Sequence, residues 1–273
     1  MTLTADGILR LVEGRISSVE ILGVNYARLH PNEALDHAEM LYQLDEPAWL
    51  AVENVHGLNI AWSDPSFRAV LERAALVLND GKGVMLAALL QGRRFPADLN
   101  GNYFTPLLLE RAAERRWPVY FLGADPGVAE TAATVLRRRH PALEVVGCRH
   151  GFIAPGEEEE VVAAVRQSGA GLLLVGMGNP LQERWLDRNM ARTGARLGMG
   201  VGAFFDFQAG KVPRAPRWMN RAGIEWVHRL GQEPGRLWRR YLVGNPLFLW
   251  RVAVERLRPL RARGTSSTDS PGP

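Results

Sequence analysis

The chain has 273 residues, 47% of them hydrophobic and 23% charged, which is typical of a globular protein large enough for one domain and an appendage. Its single cysteine excludes an intramolecular disulfide, and no apolar run approaches the roughly 20 residues of a membrane-spanning helix. Residues 211–263 hold 13 Lys and Arg against 3 Asp and Glu, a net of +10, whereas residues 1–210 carry −5. We therefore expect a polyanionic partner to meet the C-terminal end.

Short apolar segments alternate with helical patterns through most of the chain. The predicted strands are 19–25, 49–55, 75–78, 118–122, 143–147, 171–175 and 197–201. The predicted helices are 31–44, 65–74, 84–91, 104–116, 128–139, 157–167 and 181–192. This alternation predicts an α/β fold with a mostly parallel, Rossmann-like sheet that has helices on both faces.

The alternation stops after Gly210, which divides the chain into three predicted parts. These are an α/β domain at 1–210, a basic helical appendage at 211–263 and a disordered tail at 264–273. Within the first part, residues 1–18 are predicted as a short helix and a connector.

Three polar or glycine-rich turns follow predicted strands, at 79–83, 123–127 and 176–180. Ligands of parallel sheets bind outside the carboxyl ends of the strands, and each turn opens a helix whose free N–H groups favour an anion. Convergence of the three would make a phosphate or nucleotide site. Taken singly, each is better explained as a plain tight turn.

The segment 214–240 carries seven arginines and three tryptophans. Arg214, Arg217 and Arg221 recur at helical spacing, and Trp218 and Trp226 recur on another face. The pattern predicts a basic amphipathic helix that lies on an anionic membrane or clamps phosphates. The alternative is a core-packed helix with a solvated arginine face.

Four ordered blocks carry a resemblance to a known family. They are V-L-N-D-G-K-G at 77–83, F-L-G-A-D-P-G-V-A-E at 121–130, L-L-V-G-M-G-N-P-L-Q-E-R-W-L at 173–186 and G-V-G-A-F-F-D-F-Q-A-G-K-V-P-R-A-P-R-W-M at 200–219. Over about 19–250 the chain resembles the WecG/TagA/CpsF family, glycosyltransferase family 26. Its N-P-L-Q-E and L-N-G motifs are closer to those of the exopolysaccharide branch. The resemblance implies transfer of a sugar from a UDP-sugar to a polyprenyl-diphosphate-linked glycan in cell-surface polysaccharide synthesis.

The resemblance also implies which residues form the site. Asp80 matches the catalytic base, with Asn54 and Gln182 as further catalytic residues. The residues expected to bind substrate are Gly81, Gly83, Asn100, Gly123, Asp125, Pro126, Gly127, Gly176, Gly178, Asn179, Glu183, Arg214, Arg217 and Arg221. Without the resemblance, Asp80 is better explained as a turn residue or helix cap, Gln182 as a residue of a first helical turn and Glu183 as a capping partner.

Three positions depart from the family pattern. Val52 replaces a frequent threonine, Asp98 replaces a basic residue and Tyr103 an acidic one. The departures put the identity of the donor or acceptor sugar in question, and N-acetylmannosamine, its uronic acid and glucose remain candidates for the transferred sugar.

The predicted chemistry is an inverting transfer without a metal or another cofactor. No D-x-D motif or His/Cys ligand cluster is present, so the leaving diphosphate is expected to be held by helix N-termini and arginines. His56, His140 and His150 lie apart in sequence and are expected to be structural or exposed.

The expected partners are the UDP-sugar, the lipid-linked acceptor, an anionic membrane surface and a possible second copy of the chain, but no nucleic acid. The N-terminus lacks a basic segment followed by an apolar one, so the expected location is cytoplasmic and peripheral on the inner face of the cell membrane.

Two other classes stay open at this stage. A non-catalytic, nucleotide-binding membrane adaptor could use the basic end, and a nucleotide-cofactor oxidoreductase could use the glycine turns. The second is less favoured because no G-x-G-x-x-G follows the first strand.

Overall fold

The computed structural model describes residues 16–213, 215–216, 219 and 224–257. In this part of the chain, eight strands form two sheets. They are β1 (Ser18–Ile21), β2 (Val24–Ala27), β3 (Ala48–Glu53), β4 (Leu76–Asn79), β5 (Val119–Gly123), β6 (Val145–Arg149), β7 (Leu172–Gly176) and β8 (Leu197–Gly200). Strands β1 and β2 are an antiparallel pair, and the other six form one parallel sheet in the order β4-β3-β8-β7-β5-β6.

Helices cover both faces of the parallel sheet. They are α1 (Pro31–Gln43), α2 (Val55–Ser63), α3 (Pro65–Glu72), α4 (Lys82–Leu90), α5 (Gly101–Arg115), α6 (Val128–Arg139), α7 (Glu158–Gln167), α8 (Leu181–Thr193) and α9 (Phe204–Gln208). Two apolar cores result, one on each face, and the sheet lies between them. The predicted α/β fold with a parallel sheet is therefore confirmed, with six of the seven predicted strands in place to within one or two residues.

The central strands are buried on both faces, which explains why their sequences are continuously apolar. Leu172, Leu174 and Val175 of β7 have no exposed surface. A strand between two helical layers has no solvent face, so the alternation of apolar and polar residues disappears. Strand β7 lies in the middle of the sheet, between β8 and β5.

The strand predicted at 19–25 is wrong. Leu22 and Gly23 have φ angles of 52° and 79°, so the chain reverses there and β1 pairs with β2 as a hairpin outside the parallel sheet. Two successive residues with positive φ make a tight hairpin turn, for which leucine is a poor sequence signal. The apolar run concealed the turn.

A helix that the sequence prediction missed follows β3. Asn54 caps α2 by accepting a hydrogen bond from the His56 backbone N–H at 2.9 Å. The apolar residues Leu58 and Ala61 of this helix are buried in the core. Helix α2 therefore fixes the position of the polar residue that follows β3, at the edge of the sheet.

The C-terminal part of the described chain is helical. It comprises α10 (Glu225–Gln232), α11 (Pro234–Trp238), a π-helical turn (Arg239–Val243) and α12 (Gly244–Leu257). Phe248 and Val252 of α12 are 1% exposed and pack into the same core as α2. Arg214, Arg217, Arg221 and Trp218, on which the predicted basic helix depends, lie outside the described residues, and the division at Gly210 stays a prediction.

None of the helices in the described ranges has the length and apolar character that crossing a bilayer requires.

Substitution of Gly123, at the end of β5, tests how tightly the strand ends are packed. Its φ is +151°, and a Cβ there would lie 2.6 Å from the backbone N and C of Gly176 on β7. We expect Gly123→Ala to lower the free energy of unfolding by about 3 kcal/mol or more, because the backbone of Gly176 cannot move away from the added Cβ.

The matched control is Gly169→Ala, where φ is +70° but nothing lies within 4 Å. It should cost only the conformational strain, about 1 kcal/mol, in the same denaturant titration. Equal losses in the two variants would mean that the β5–β7 approach is not tight.

Candidate active site

A cavity of about 1860 Å³ opens at the carboxyl ends of the parallel strands, between the sheet and the C-terminal helices. All three predicted turns contribute to its lining. The predicted site residues that line it are Asn54, Asp80, Gly81, Gly83, Asn100, Asp125, Gly176, Gly178, Asn179 and Gln182. The sequence prediction that the turns converge is thus consistent with the positions of these residues.

Four other predicted residues are not part of this lining. Gly123, Pro126, Gly127 and Glu183 are described but do not line the cavity, and Glu183 has no exposed surface. Whether any of the predicted residues binds a substrate stays a prediction.

Asp80 and Asn54 form a hydrogen-bonded pair on the cavity floor. Parallel pairing of β3 with β4 places Glu53 opposite Asn79, so the next residue of each strand emerges at the same edge. Asn54 Nδ2 donates to Asp80 Oδ2 at 3.0 Å, while Asn54 Oδ1 is held by the His56 N–H. The Asn54 amide is therefore locked with its NH₂ group toward the carboxylate.

Burial raises the pKa of Asp80 above its ordinary value. The hydrogen bond from Asn54 opposes this effect, the nearby charge of Asp98 adds to it, and Arg240 and Arg229 oppose it. The result is a half-buried carboxylate that holds a proton more tightly than a surface aspartate does.

Asp98 shapes the turn that follows Asp80. Its Oδ1 accepts from the backbone N–H of Gly81 at 3.0 Å and of Asn100 at 3.3 Å. Asn100 in turn caps α5 by accepting from the Tyr103 N–H at 3.1 Å. Asp98 and Asn100 thus use some of their hydrogen-bond acceptors within the protein, although both residues line the cavity.

The third turn is tied to α8 by side-chain amides. Gln182 Oε1 accepts from the N–H groups of Gly178 at 3.1 Å and Gly202 at 3.0 Å, and its Nε2 donates to Glu183 at 2.6 Å. Both lone pairs of the Gln182 carbonyl are therefore occupied, and one N–H remains for a ligand. A cis peptide bond joins Asn179 to Pro180 in this turn.

The second turn is linked to the beginning of the C-terminal segment. Asp125 is paired with Lys211, which also lies 3.4 Å from Asp206. These three charged residues line one side of the cavity. Neither Lys211 nor Asp206 was among the residues predicted from sequence.

Arginines of the C-terminal helices also line the cavity. Arg229, Arg239, Arg240 and Arg251 belong to the C-terminal helices and contribute to the lining, and the charges of Arg229 and Arg240 reach Asp80. The Arg229 Nε is buried and lacks a hydrogen-bond partner among the described residues. Sequence analysis expected the basic segment to meet the site and selected Arg214, Arg217 and Arg221, which lie outside the described ranges.

Two further lining residues were not selected from sequence. His56 lies in the wall, and burial, followed by the charge of Arg240, lowers its pKa to about 4, so it is neutral at pH 7. Phe152, after β6, is 63% exposed at the cavity mouth. No sequence signal marked either residue, since a lone histidine and a lone phenylalanine carry no motif.

Groups of three or more His, Cys, Asp or Glu residues that could hold a metal ion are absent from the described ranges.

A cavity at the strand ends of a parallel sheet, lined by a carboxylate and by guanidinium groups, is typical of the ligand site of an α/β enzyme. The sequence comparisons identify the family of such enzymes. Residues 19–262 match the glycosyl transferase WecG/TagA/CpsF family, so the chain belongs to it and is a glycosyltransferase.

Two curated relatives extend the comparison. The protein from Bacillus spizizenii (strain ATCC 23059 / NRRL B-14472 / W23) is 30% identical over 67% of this chain and 70% of its own length. The protein from Staphylococcus aureus (strain MW2) is 25% identical over 90% of this chain and 96% of its own length. Each is named N-acetylglucosaminyldiphosphoundecaprenol N-acetyl-beta-D-mannosaminyltransferase.

The electrostatic account of Asp80 is testable by substitution of its neighbours. Asp98→Asn removes a negative charge while keeping an acceptor for the Gly81 N–H, so the pKa of Asp80 should fall. Asn54→Ala removes the donor to the carboxylate, so the pKa should rise. Titration of the Asp80 carboxyl carbon by ¹³C NMR measures both. Shifts of the same sign in the two variants would contradict this account.

Proposed function

We propose that the chain is an inverting, metal-independent glycosyltransferase that moves N-acetylmannosamine from UDP to a polyprenyl-diphosphate-linked glycan. The observation that carries the proposal is the Asn54–Asp80 pair on the cavity floor, which faces the guanidinium groups of Arg229 and Arg240. The choice of sugar rests on the names of the two relatives.

Asp80 is proposed as the general base. In an inverting transfer its carboxylate takes the proton of the acceptor hydroxyl as that oxygen bonds to the anomeric carbon, and the bond from that carbon to the UDP oxygen breaks with its electron pair leaving on UDP. A raised pKa suits this step, because a more basic carboxylate is a better proton acceptor. Asn54 keeps the accepting oxygen in place through its fixed NH₂ group.

The departing diphosphate needs positive charge, and two features of the site could supply it. Arg229, Arg239 and Arg240 line the cavity, and guanidinium groups bind phosphate oxygens with two parallel hydrogen bonds. Helices α4, α6 and α8 begin at the three turns without side-chain caps, whereas α2 and α5 are capped by Asn54 and Asn100. The uncapped helix N-termini favour an anion.

Substitution of the proposed base separates catalysis from binding. Asp80→Asn should keep UDP affinity, measured by calorimetry, and reduce turnover by roughly 10²–10⁴, because a general base contributes in that range. The control Asp45→Asn changes an exposed aspartate outside the cavity and should leave both quantities unchanged. Normal turnover in Asp80→Asn would mean that Asp80 only shapes the turn.

Metal independence and donor choice are tested in one transfer assay. UDP release should persist in EDTA, because the arginines are proposed to neutralise the leaving group. UDP-N-acetylmannosamine, its uronic acid and UDP-glucose should be compared, since Val52, Asp98 and Tyr103, at which the chain departs from the family pattern, all line the cavity. Strict Mn²⁺ dependence would refute the mechanism, and preference for another donor would refute the choice of sugar.

A lipid-linked acceptor requires contact with a membrane, and an apolar surface beside the cavity is suited to it. The exposed large hydrophobic side chains of α4 and of the C-terminal helices are Leu86, Leu89, Leu90, Val227, Trp238, Leu242, Val243, Leu247, Leu249 and Trp250. Several of them, including Leu86 and Leu247, also line the cavity, so the same surface reaches the site. Together with the +10 charge of 211–263, this apolar rim supports peripheral binding to an anionic bilayer.

Vesicle binding tests this part of the proposal. Binding to anionic vesicles should weaken steeply with salt, and Leu249→Glu/Trp250→Glu should reduce it by about tenfold or more through lost apolar insertion. Val146→Glu is the matched control, since Val146 is 41% exposed on the edge strand β6. Equal binding by the two variants would exclude the apolar rim as the contact. A chain that binds vesicles and UDP but releases no sugar from any donor would instead be the adaptor considered above.

A further inference from the structure

Two buried carboxyl groups meet directly behind the cavity floor. Glu53 is the last residue of β3, Glu183 lies in the first turn of α8, and neither has exposed surface. Asn179 Nδ2 donates to the two carboxyl oxygens of Glu53 at 2.9 and 2.8 Å and to Glu183 Oε1 at 3.1 Å. Two carboxylates around one amide nitrogen, sealed from water, cannot both be ionised at low cost.

A shared proton resolves this arrangement. The two carboxyl groups lie close enough to perturb each other, and Glu183 Oε2 has no hydrogen-bond partner among the described residues. A proton on Glu53 supplies the donor that this buried oxygen lacks. The other ionisable groups facing the pair are Asp80, whose charge disfavours a second negative charge, and the Tyr26 hydroxyl, which lies 3.4 Å from the Glu53 carbonyl oxygen.

The direction of the pKa shifts agrees with the geometry. Burial, followed by the charge of Glu183, raises the pKa of Glu53 well above its usual range, and burial raises the pKa of Glu183 to about 7. The pair therefore holds a proton to a higher pH than an exposed glutamate does.

The pair joins the two halves of the site. On one side, the Glu53 backbone carbonyl accepts from the Asp80 N–H at 2.9 Å, at the strand end that carries Asn54. On the other side, Glu183 holds the Nε2 of Gln182, which turns the Gln182 carbonyl toward the Gly178 and Gly202 N–H groups.

We propose that Glu53 and Glu183, joined by one shared proton, are positioning residues that hold Asn179 and Gln182 in place against the strand end carrying Asn54 and Asp80. The inference rests on the proposed function only in that Asn179 and Gln182 line the cavity where the donor would bind. Loss of the proton leaves two negative charges around Asn179, which pushes the turn 177–180 away from β3.

Hydrogen exchange tests the positioning without any use of activity. Backbone amides of 177–183 and 200–203 are followed from pH 6 to 9, with the intrinsic pH dependence of exchange divided out. In the unmodified chain, opening of these segments should increase by up to about tenfold per pH unit while the closed state still holds the shared proton, and should level off once that proton is lost. Glu53→Gln and Glu183→Gln keep hydrogen-bonding groups and cannot lose that proton, so their opening should not change with pH.

The control is Glu110→Gln, which neutralises an exposed glutamate on α5 and should behave as the unmodified chain does. A pH-independent profile in the unmodified chain, or the same pH dependence in the two glutamine variants, would overturn the shared proton.

A second readout links the pair to the site. UDP affinity, measured by calorimetry over the same pH range, should weaken as the pH rises in the unmodified chain and stay constant in Glu53→Gln. Parallel weakening in both proteins would refute the positioning role.

The two proposals fail separately. A chain that shows the exchange effect but transfers no sugar refutes the glycosyl transfer proposed above and leaves the carboxyl pair standing. An active transferase whose exchange is independent of pH refutes the pair alone.

Discussion

The parallel pairing of β3 with β4 is the constraint on which the site depends. With Glu53 opposite Asn79, Asn54 and Asp80 leave adjacent strands side by side, and the Asp80 N–H is bonded to the Glu53 carbonyl. A shift of one residue in this register would turn alternate side chains to the other face and separate the amide from the carboxylate. The helix cap that Asn54 provides to α2 uses the same residue, so the sheet register, the helix start and the orientation of the carboxylate are one structural unit.

Sequence was sufficient for the features that arise from local pattern. Buried parallel strands produce continuous apolar runs such as 171–175, and glycine turns after them mark the ligand edge of the sheet, so the fold and the convergence of the turns could be predicted. The family resemblance added the selection of Asp80. Local pattern failed where an apolar residue occupies a turn, as at Leu22, and where a helix begins directly at a strand end, as at Asn54.

The pairings that cross the fold had no sequence signal. Glu53 and Glu183 are separated by most of the α/β domain, and each alone reads as an ordinary strand-end or first-turn glutamate. Their meeting follows from the sheet order, which sets β7, and with it the start of α8, one strand away from β3 across β8. The approach of Arg229 and Arg240 to Asp80 also had no sequence signal. Composition located the basic segment but did not indicate which of its side chains lie near Asp80.

Asp98, which departs from the family pattern, changes which residues supply charge to the cavity. Where many members of the family carry a basic residue, this chain has a carboxylate that binds the Gly81 and Asn100 N–H groups and raises the pKa of Asp80. A negative charge at that position cannot attract a diphosphate, and Lys82 lies 3.9 Å from it, in ion-pair contact. Arg229, Arg239, Arg240 and Arg251 of the C-terminal helices bring positive charge to the cavity, and the charges of Arg229 and Arg240 oppose the rise in the pKa of Asp80. In this chain those helices therefore contribute to the electrostatics of the cavity as well as to its lining.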